Sequence, residues 1–175
     1  MQNMFEGAES FDQNINVWDT SNVTQMEYMF YKAKAFNQPL DNWKTTKVTE
    51  MQNMFEGAES FDQNINVWDT SNVTQMEYMF SNAKAFNQPL DKWITTKVFD
   101  MTYMFSGAES FDQNISGWDV SNVTKFDKVF EKSGISEENY CSIFTSWKSK
   151  NSKIDDDSDL GKGKDYNHKC SDGNN

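Results

Sequence analysis

Residues 21–43 read SNVTQMEYMFYKAKAFNQPLDNW, and their apolar letters return every 25 positions along most of the chain. Met26, Met29, Phe30 and Ala33 stand at i, i+3, i+4 and i+7, the spacing of one face of a helix about two turns long. The preceding Asp19-Thr20-Ser21-Asn22 supplies N-cap and turn chemistry. Phe36, Gln38 and Leu40 then alternate with period two, as a short strand does, and Trp43 closes the unit. A single unit of this kind cannot bury its apolar side, but stacked copies can.

Working outward, residues 1–30 and 51–80 are identical, so a 50-residue period encloses the 25-residue one. Trp18, Trp43, Trp68, Trp93 and Trp118 form one column; paired Met columns, Phe columns and an Ile/Leu column run beside it. A polar column, Gln13, Gln38, Gln63, Gln88 and Gln113, never varies, and is expected to be a buried ladder in which amides satisfy one another and loop carbonyls. Asn14, Pro39, Asn64, Pro89 and Asn114 alternate beside it, and proline cannot donate to a ladder. Charges alternate as well: Glu9, Lys34, Glu59, Lys84 and Glu109 share one position, and Asp19, Lys44, Asp69, Ile94 and Asp119 another. Equivalent side chains in a stack would sit roughly 5 Å apart, where like charges repel and opposite charges attract modestly. The 50-residue unit therefore reads as a two-coil module that avoids same-sign stripes.

The expected fold is an α/β repeat solenoid over 1–130, with leucine-rich-repeat-like coils of 25 residues, each a short helix plus a short parallel strand. Over 131–150 a cap helix is expected, with Ser136 as N-cap and Tyr140, Ile143, Phe144 and Trp147 on its apolar face. Residues 151–175 read as a polar tail that only Ile154, Leu160 and Tyr166 could pin down. Met1 enters the repeat in mid-register, which reads as a cut from a longer protein with further repeats upstream.

Composition narrows the function. The net charge of −11 and pI near 4.5 disfavour phosphate backbones and anionic membranes, and no apolar run is long enough to span a bilayer. Only three leucines occur against 14 Phe, 10 Met and 6 Trp, so the core must be aromatic and methionine-rich.

The pattern Val-Thr-x-Met-x-x-Met-Phe-x-x-Ala-x-x-Phe-x-Gln-x-Leu-x-x-Trp at 23–43 resembles the BspA-like surface-protein repeats abundant in mycoplasmas and other host-associated bacteria. SGISEENYCSIFTSW, 133–147, resembles the C-terminal cap of that family. The resemblance runs from residue 1 to about 150 and implies a leucine-rich-repeat-like fold, export, an extracellular or cell-surface location, and adhesion, without implying an activity. In an exported chain Cys141 and Cys170 would pair and tie the tail to the cap; in a cytosolic one they would be two free thiols.

Chemistry is sparse. Hydrolysis or group transfer needs a positioned base or nucleophile pair, whereas the only histidine, His168, lies in the tail and no Gly-rich phosphate loop occurs. The chain reads as non-enzymatic, with no cofactor. Asp155, Asp157 and Asp159 alternate like the first ligands of a calcium loop, but Gly161 is displaced and Tyr166 stands where a bidentate Glu belongs, so a solvated acidic turn is the better reading. The Asn-x-Ser/Thr sequons at Asn22, Asn72, Asn114 and Asn122 arise from the repeat itself.

A binding face is expected where repeats differ: Tyr28, Tyr31, Lys32, Tyr78, Tyr103 and Ile94 are the candidates, exposed Tyr being a frequent interface anchor. The function expected is a surface-exposed module that binds a host protein or glycan. The alternative is a structural spacer, which near-identical repeats favour. Ice or crystal-surface binding through Thr20, Thr45, Thr70 and Thr95 ranks third, because Lys47 and Lys97 interrupt the array.

Overall fold

The computed structural model describes residues 1–156, 158–162, 167, 169 and 170. In it the 25-residue repeats stack on one another, but no repeat contains a helix or a strand. An α-helix, α1, spans Glu137–Lys150, beyond the repeats. Extended pairing is reduced to isolated parallel bridges: Gln25 with Glu50, Glu50 with Gln75, Gln75 with Asp100, and Asp100 with Lys125. The expected α/β repeat solenoid with leucine-rich-repeat-like coils is therefore corrected; these repeats are built from turns.

The hydrogen bonds over 26–33 give the reason. The amides of Met29, Tyr31 and Ala33 donate to the carbonyls of Met26, Tyr28 and Phe30, each closing a four-residue turn. Those of Met26, Tyr28, Phe30 and Lys32 donate instead to Glu50, Gln52, Met54 and Glu56 of the next repeat, at 2.7–3.2 Å. A helix would return each amide to the carbonyl four residues back, so the two arrangements compete for the same donors. Tyr28 and Lys32, third in their turns, have φ of 55° and 56°, as a type II turn requires and a right-handed helix forbids. Turns of this kind also throw residues i, i+3, i+4 and i+7 to one side, and Met26, Met29, Phe30 and Ala33 are all fully buried.

The strand expected over Phe36–Leu40 fails for a different reason. The Asn37 amide donates not to a neighbouring carbonyl but to Asp12 Oδ1, at 2.9 Å, and Gln38 Nε2 donates to the same oxygen at 2.9 Å. Asn37, Asp62 and Asn87 repeat this service for the following repeats. A side-chain ladder thus replaces a backbone one, and proline at 39 and 89 is tolerated because no backbone donor is needed there.

Inside, rings stack face to face from repeat to repeat. Phe30–Phe55, Phe55–Phe80 and Phe80–Phe105 have centroids 5.4, 5.7 and 5.5 Å apart, and Phe36–Phe61 and Phe61–Phe86 6.0 Å each. A fully buried Phe contributes roughly 1.5–3 kcal/mol, so these columns make up most of what the missing leucines would have supplied. Trp43, Trp68, Trp93 and Trp118 are buried, and each indole N–H donates to the carbonyl of Ile15, Leu40, Ile65 or Leu90 of the preceding repeat.

Closure at the C-terminal side uses both α1 and the segment after it. Trp147 on α1 stacks on Trp118 at 6.3 Å and donates to Ile115 O, continuing the tryptophan column from a helix. Asn151 Nδ2 donates to Val120 O and Val123 O, both at 2.8 Å. The amides of Lys128 and Phe130, which a further repeat would have paired, donate to Asp159 O and Leu160 O at 2.6 and 2.8 Å. Gly161, at φ +106°, allows that approach: a Cβ there would come within 2.3 Å of Glu131 N. Ile154 and Leu160 are both buried, which answers the expectation that they could pin down the residues after α1. Tyr166 lies outside the described residues.

Candidate functional site

The turns that build each repeat leave residues equivalent to Gln25, Glu27, Tyr28, Tyr31 and Lys32 off the hydrophobic core, in columns along one face. Tyr28, Tyr78 and Tyr103 share one column and all adopt left-handed backbone, at φ 55°, 56° and 55°. Asn3 and Asn53 occupy the same place in the first and third repeats. Asparagine tolerates that conformation through local hydrogen bonding, whereas an ordinary side chain costs roughly 1–2 kcal/mol. The Lys32 column is left-handed too, and holds Gly7, Gly57 and Gly107 alternating with Lys32, Asn82 and Lys132. That alternation has a steric cause: a Cβ on Gly57 would lie 3.2 Å from Lys32 Cγ, and one on Gly107 2.5 Å from Asn82 Oδ1.

Five of the predicted contact residues come together here as two groups. Tyr28 and Tyr31 meet edge to face at 5.7 Å, and Lys32 Nζ lies 4.7 Å from the Tyr31 ring centre. Tyr78 and Tyr103 stack at 5.1 Å, with Lys128 Nζ 5.9 Å from the Tyr103 ring centre. Ile94 does not join them. It stands, 48% exposed, in the column of Asp19 and Asp69, with its backbone N–H and C=O both bonded to Thr70 Oγ1.

Carboxylates thread between these rings. Glu56 is half-buried, with Asn53 Nδ2 donating to it. Burial raises its pKa against the opposing effects of that hydrogen bond and of Lys32. Burial likewise raises Glu77, partly offset by its own backbone amide, while Asp100 adds to the rise. Tyr28 and Tyr78 are both raised, first by burial; Glu56 and Glu77 then act on each of them. Glu56 therefore lies within electrostatic reach of both tyrosines. Down the Glu27 column, Glu27 Oε2, Gln52 Oε1, Glu77 Oε2 and Thr102 Oγ1 are buried without a hydrogen-bond partner among the described residues.

Sequence reasoning passed over Asn53, Glu56 and the Glu27 column. Glu56 stands where Tyr31 does one repeat earlier, and comparing that column alone would have flagged it.

The other singled-out residues have structural roles. Gln38, Gln63, Gln88 and Gln113 bond to Asp12, Asn37, Asp62 and Asn87 rather than to one another, and Gln13 is exposed. Trp18, unlike the later tryptophans, is 37% exposed. Thr20, Thr45, Thr70 and Thr95 are buried, each hydroxyl donating to a backbone carbonyl of the next repeat. Lys34–Glu9 and Lys84–Glu59 pair at 2.8 and 2.9 Å. Cys141 and Cys170 are joined in a disulfide, with Cα atoms 5.0 Å apart.

Asp155 accepts from Ser158 Oγ and Asp159 from the Gly161 amide, while Asp157 and His168 lie outside the described residues. Among the described residues no group of three His, Cys, Asp or Glu is placed to hold a metal, and no helix is long and apolar enough to cross a membrane. The groups assembled on the turn face can stack, hydrogen-bond and attract cations.

Comparison with known proteins finds no match among curated proteins and none among solved structures. A family model described as "Mycoplasma protein of unknown function, DUF285" matches residues 1–69 and again 38–147, most of the stack together with nearly all of α1. The chain belongs to that family.

Proposed function

We propose that this chain is a non-enzymatic module, displayed outside the cell, that binds a host protein or glycan through the turn face bearing Tyr28, Tyr31, Lys32, Tyr78 and Tyr103. One observation carries the reading. Tyrosine occupies left-handed positions at 28, 78 and 103 where the same chain uses asparagine at 3 and 53. Strain of this sort persists where a side chain is needed for something other than folding, and half-buried tyrosines suit an interface. The interior columns hardly vary, so the differences between repeats are concentrated on the outside. The likeness to BspA-like surface repeats, together with membership of the mycoplasma family, supports display at the cell surface, and the Cys141–Cys170 disulfide fits an oxidising location.

A structural spacer is the second reading, favoured by the identity of residues 1–30 and 51–80. Ice binding loses its basis, since the threonine column is buried. The test applies the chain to a glycan array and to immobilised host-matrix proteins, alongside a variant with Tyr28→Asn and Tyr78→Asn. The binding reading expects a ligand whose signal falls in the variant; silence on both surfaces would support the spacer.

A further inference from the structure

We infer that the stack yields in modules of two repeats, parting first between residues 1–50 and the repeats that follow. A pulling force then lengthens the chain by 50 residues at a time while the remainder stays folded. Such a device serves a chain that holds a partner under load and equally one that only spaces another domain.

Every junction between repeats shares one frame. The amides of Tyr28, Asn53 and Tyr78 donate to the carbonyls of Gln52, Glu77 and Thr102, and the Phe30–Phe105 column keeps centroid spacings of 5.4–5.7 Å. The side-chain links, by contrast, follow the 50-residue period.

Between the first and second repeats, and again between the third and fourth, the same links recur. Lys34 and Lys84 pair with Glu9 and Glu59. Asn16 and Asn66 donate through Nδ2 to Asp41 and Asp91, at 2.8 Å. Their Oδ1 atoms accept from the amides of Asn42 and Lys92, at 3.0 Å. Lys47 and Lys97 donate to Asn22 and Asn72 Oδ1. The amides of Lys44 and Ile94 donate to Thr20 and Thr70 Oγ1, at 2.8 Å.

Between the second and third repeats none of these links has a counterpart among the described residues, and Lys34 acts on Glu59 only through space. In their place Asn72 Nδ2 donates to Thr46 O at 2.8 Å and Trp43 stacks on Trp68 at 6.4 Å. The glutamine ladder divides in the same way. Its acceptor is the side chain of Asp12 or Asp62 within a module and the neutral Asn37 amide between modules, and bonds to an ionised acceptor are the stronger kind. The junction after the fourth repeat also lacks the recurring links. Lys125 pairs with Asp100 across it at 3.0 Å and Tyr78 stacks on Tyr103, so it is the firmer of the two.

Five links against two leave three in favour of the module. At the factor of about 3 that a modest net hydrogen bond supplies, opening within a module is about 30-fold rarer than opening between modules. Once a repeat is torn from its module partner, the partner is held by the weaker junction alone and follows at the same force.

The test pulls the full chain by its two ends and reads the length released at each event. Releasing 50 residues frees about 170 Å, and releasing 25 frees about 85 Å. Residues 1–100 should give two steps of about 170 Å. Steps half as long, or loss of the whole stack at once, would overturn the inference. Lys84→Ala, Asp91→Ala and Lys97→Ala together remove links within the second module alone, and should divide one of the two steps into halves. A step left undivided would count against these links as the cause and overturn the assignment.

Hydrogen exchange of the native chain needs no variant. Two repeats alone are too few to stay folded, so parting at the weak junction exposes the amides of both repeats that leave. Asn3, Phe5 and Gly7, which pair across the first junction, should therefore be protected about as well as Tyr28, Phe30 and Lys32, which pair across the second. Asn53, Phe55 and Gly57, inside the next module, should be protected about 30-fold more. A smooth rise in protection from repeat to repeat would mean ordinary fraying from one end and would remove the modules.

Discussion

Replacing Asp112 by alanine should detach α1 from the last repeat. Asp112 Oδ1 accepts from the Ser136 amide at 2.8 Å, from Ser136 Oγ at 2.7 Å and from Asn139 Nδ2 at 2.8 Å. Asp12, Asn37, Asp62 and Asn87 do the same for the repeats that follow them, so α1 is docked by the device that joins one repeat to the next. Three hydrogen bonds at a partly exposed site, at about 1 kcal/mol each, make the alanine variant about 3 kcal/mol less stable at neutral pH. In a chain of this size that lowers the melting temperature by about 6–12 °C.

Asparagine performs the same role at 37 and 87, so Asp112→Asn should keep the geometry and cost only about 1 kcal/mol. Acid adds a second signature. Burial pushes the Asp112 carboxyl up, but the Ser136 amide and the Asn139 and Ser136 side chains outweigh it and hold the group below the usual carboxylate range. A carboxyl depressed in the folded state adds stability that is fully present above its unfolded pKa, about 3.9. That stability is lost as pH falls through the lower folded value. The native chain and the Asp112→Asn variant should therefore converge in acid.

Urea unfolding followed by tryptophan fluorescence, with hydrogen exchange at α1 amides, measures both effects. An alanine variant within 0.5 kcal/mol of the native chain, or an asparagine variant equally damaged, would refute the reasoning.

Two further predictions concern the same end of the stack. Gly134→Ala places a Cβ 2.2 Å from Glu109 O, a backbone atom that cannot swing aside, and should destabilise by about 1–3 kcal/mol; an unchanged melting temperature would show that the close approach is not rigid. Reducing Cys141–Cys170, which are 29 residues apart, should cost about 2–4 kcal/mol and selectively unprotect the Lys128 and Phe130 amides that pair with Asp159 and Leu160. Equal protection of those amides with and without reductant would count against a locking role.

The sequence misled most where one spacing serves two backbones. Met26, Met29, Phe30 and Ala33 satisfy a helix face and a run of four-residue turns equally well, and burial cannot separate them. A local clue was present in Asn3, Asn53, Gly7, Gly57 and Gly107, which mark left-handed positions, but Tyr28, Tyr78 and Lys32 in the same columns concealed it. The Gln13 column was visible as invariant, yet its partners lie in the preceding repeat at Asp12 and its equivalents. For the candidate site, comparison of repeats found the tyrosines. Glu56 and the interrupted ring at Asn53 emerged only once their neighbours were in place.

By itself the sequence determined the period, the apolar columns that would be buried, and the pairing of unlike charges such as Lys34 with Glu9, because these follow from identity and spacing alone. Only the tertiary structure decided between helix and turn. Half of the amides over 26–33 find their acceptors in the next repeat, and a competition between a local and a distant partner for one donor is resolved only when the distant partner is present.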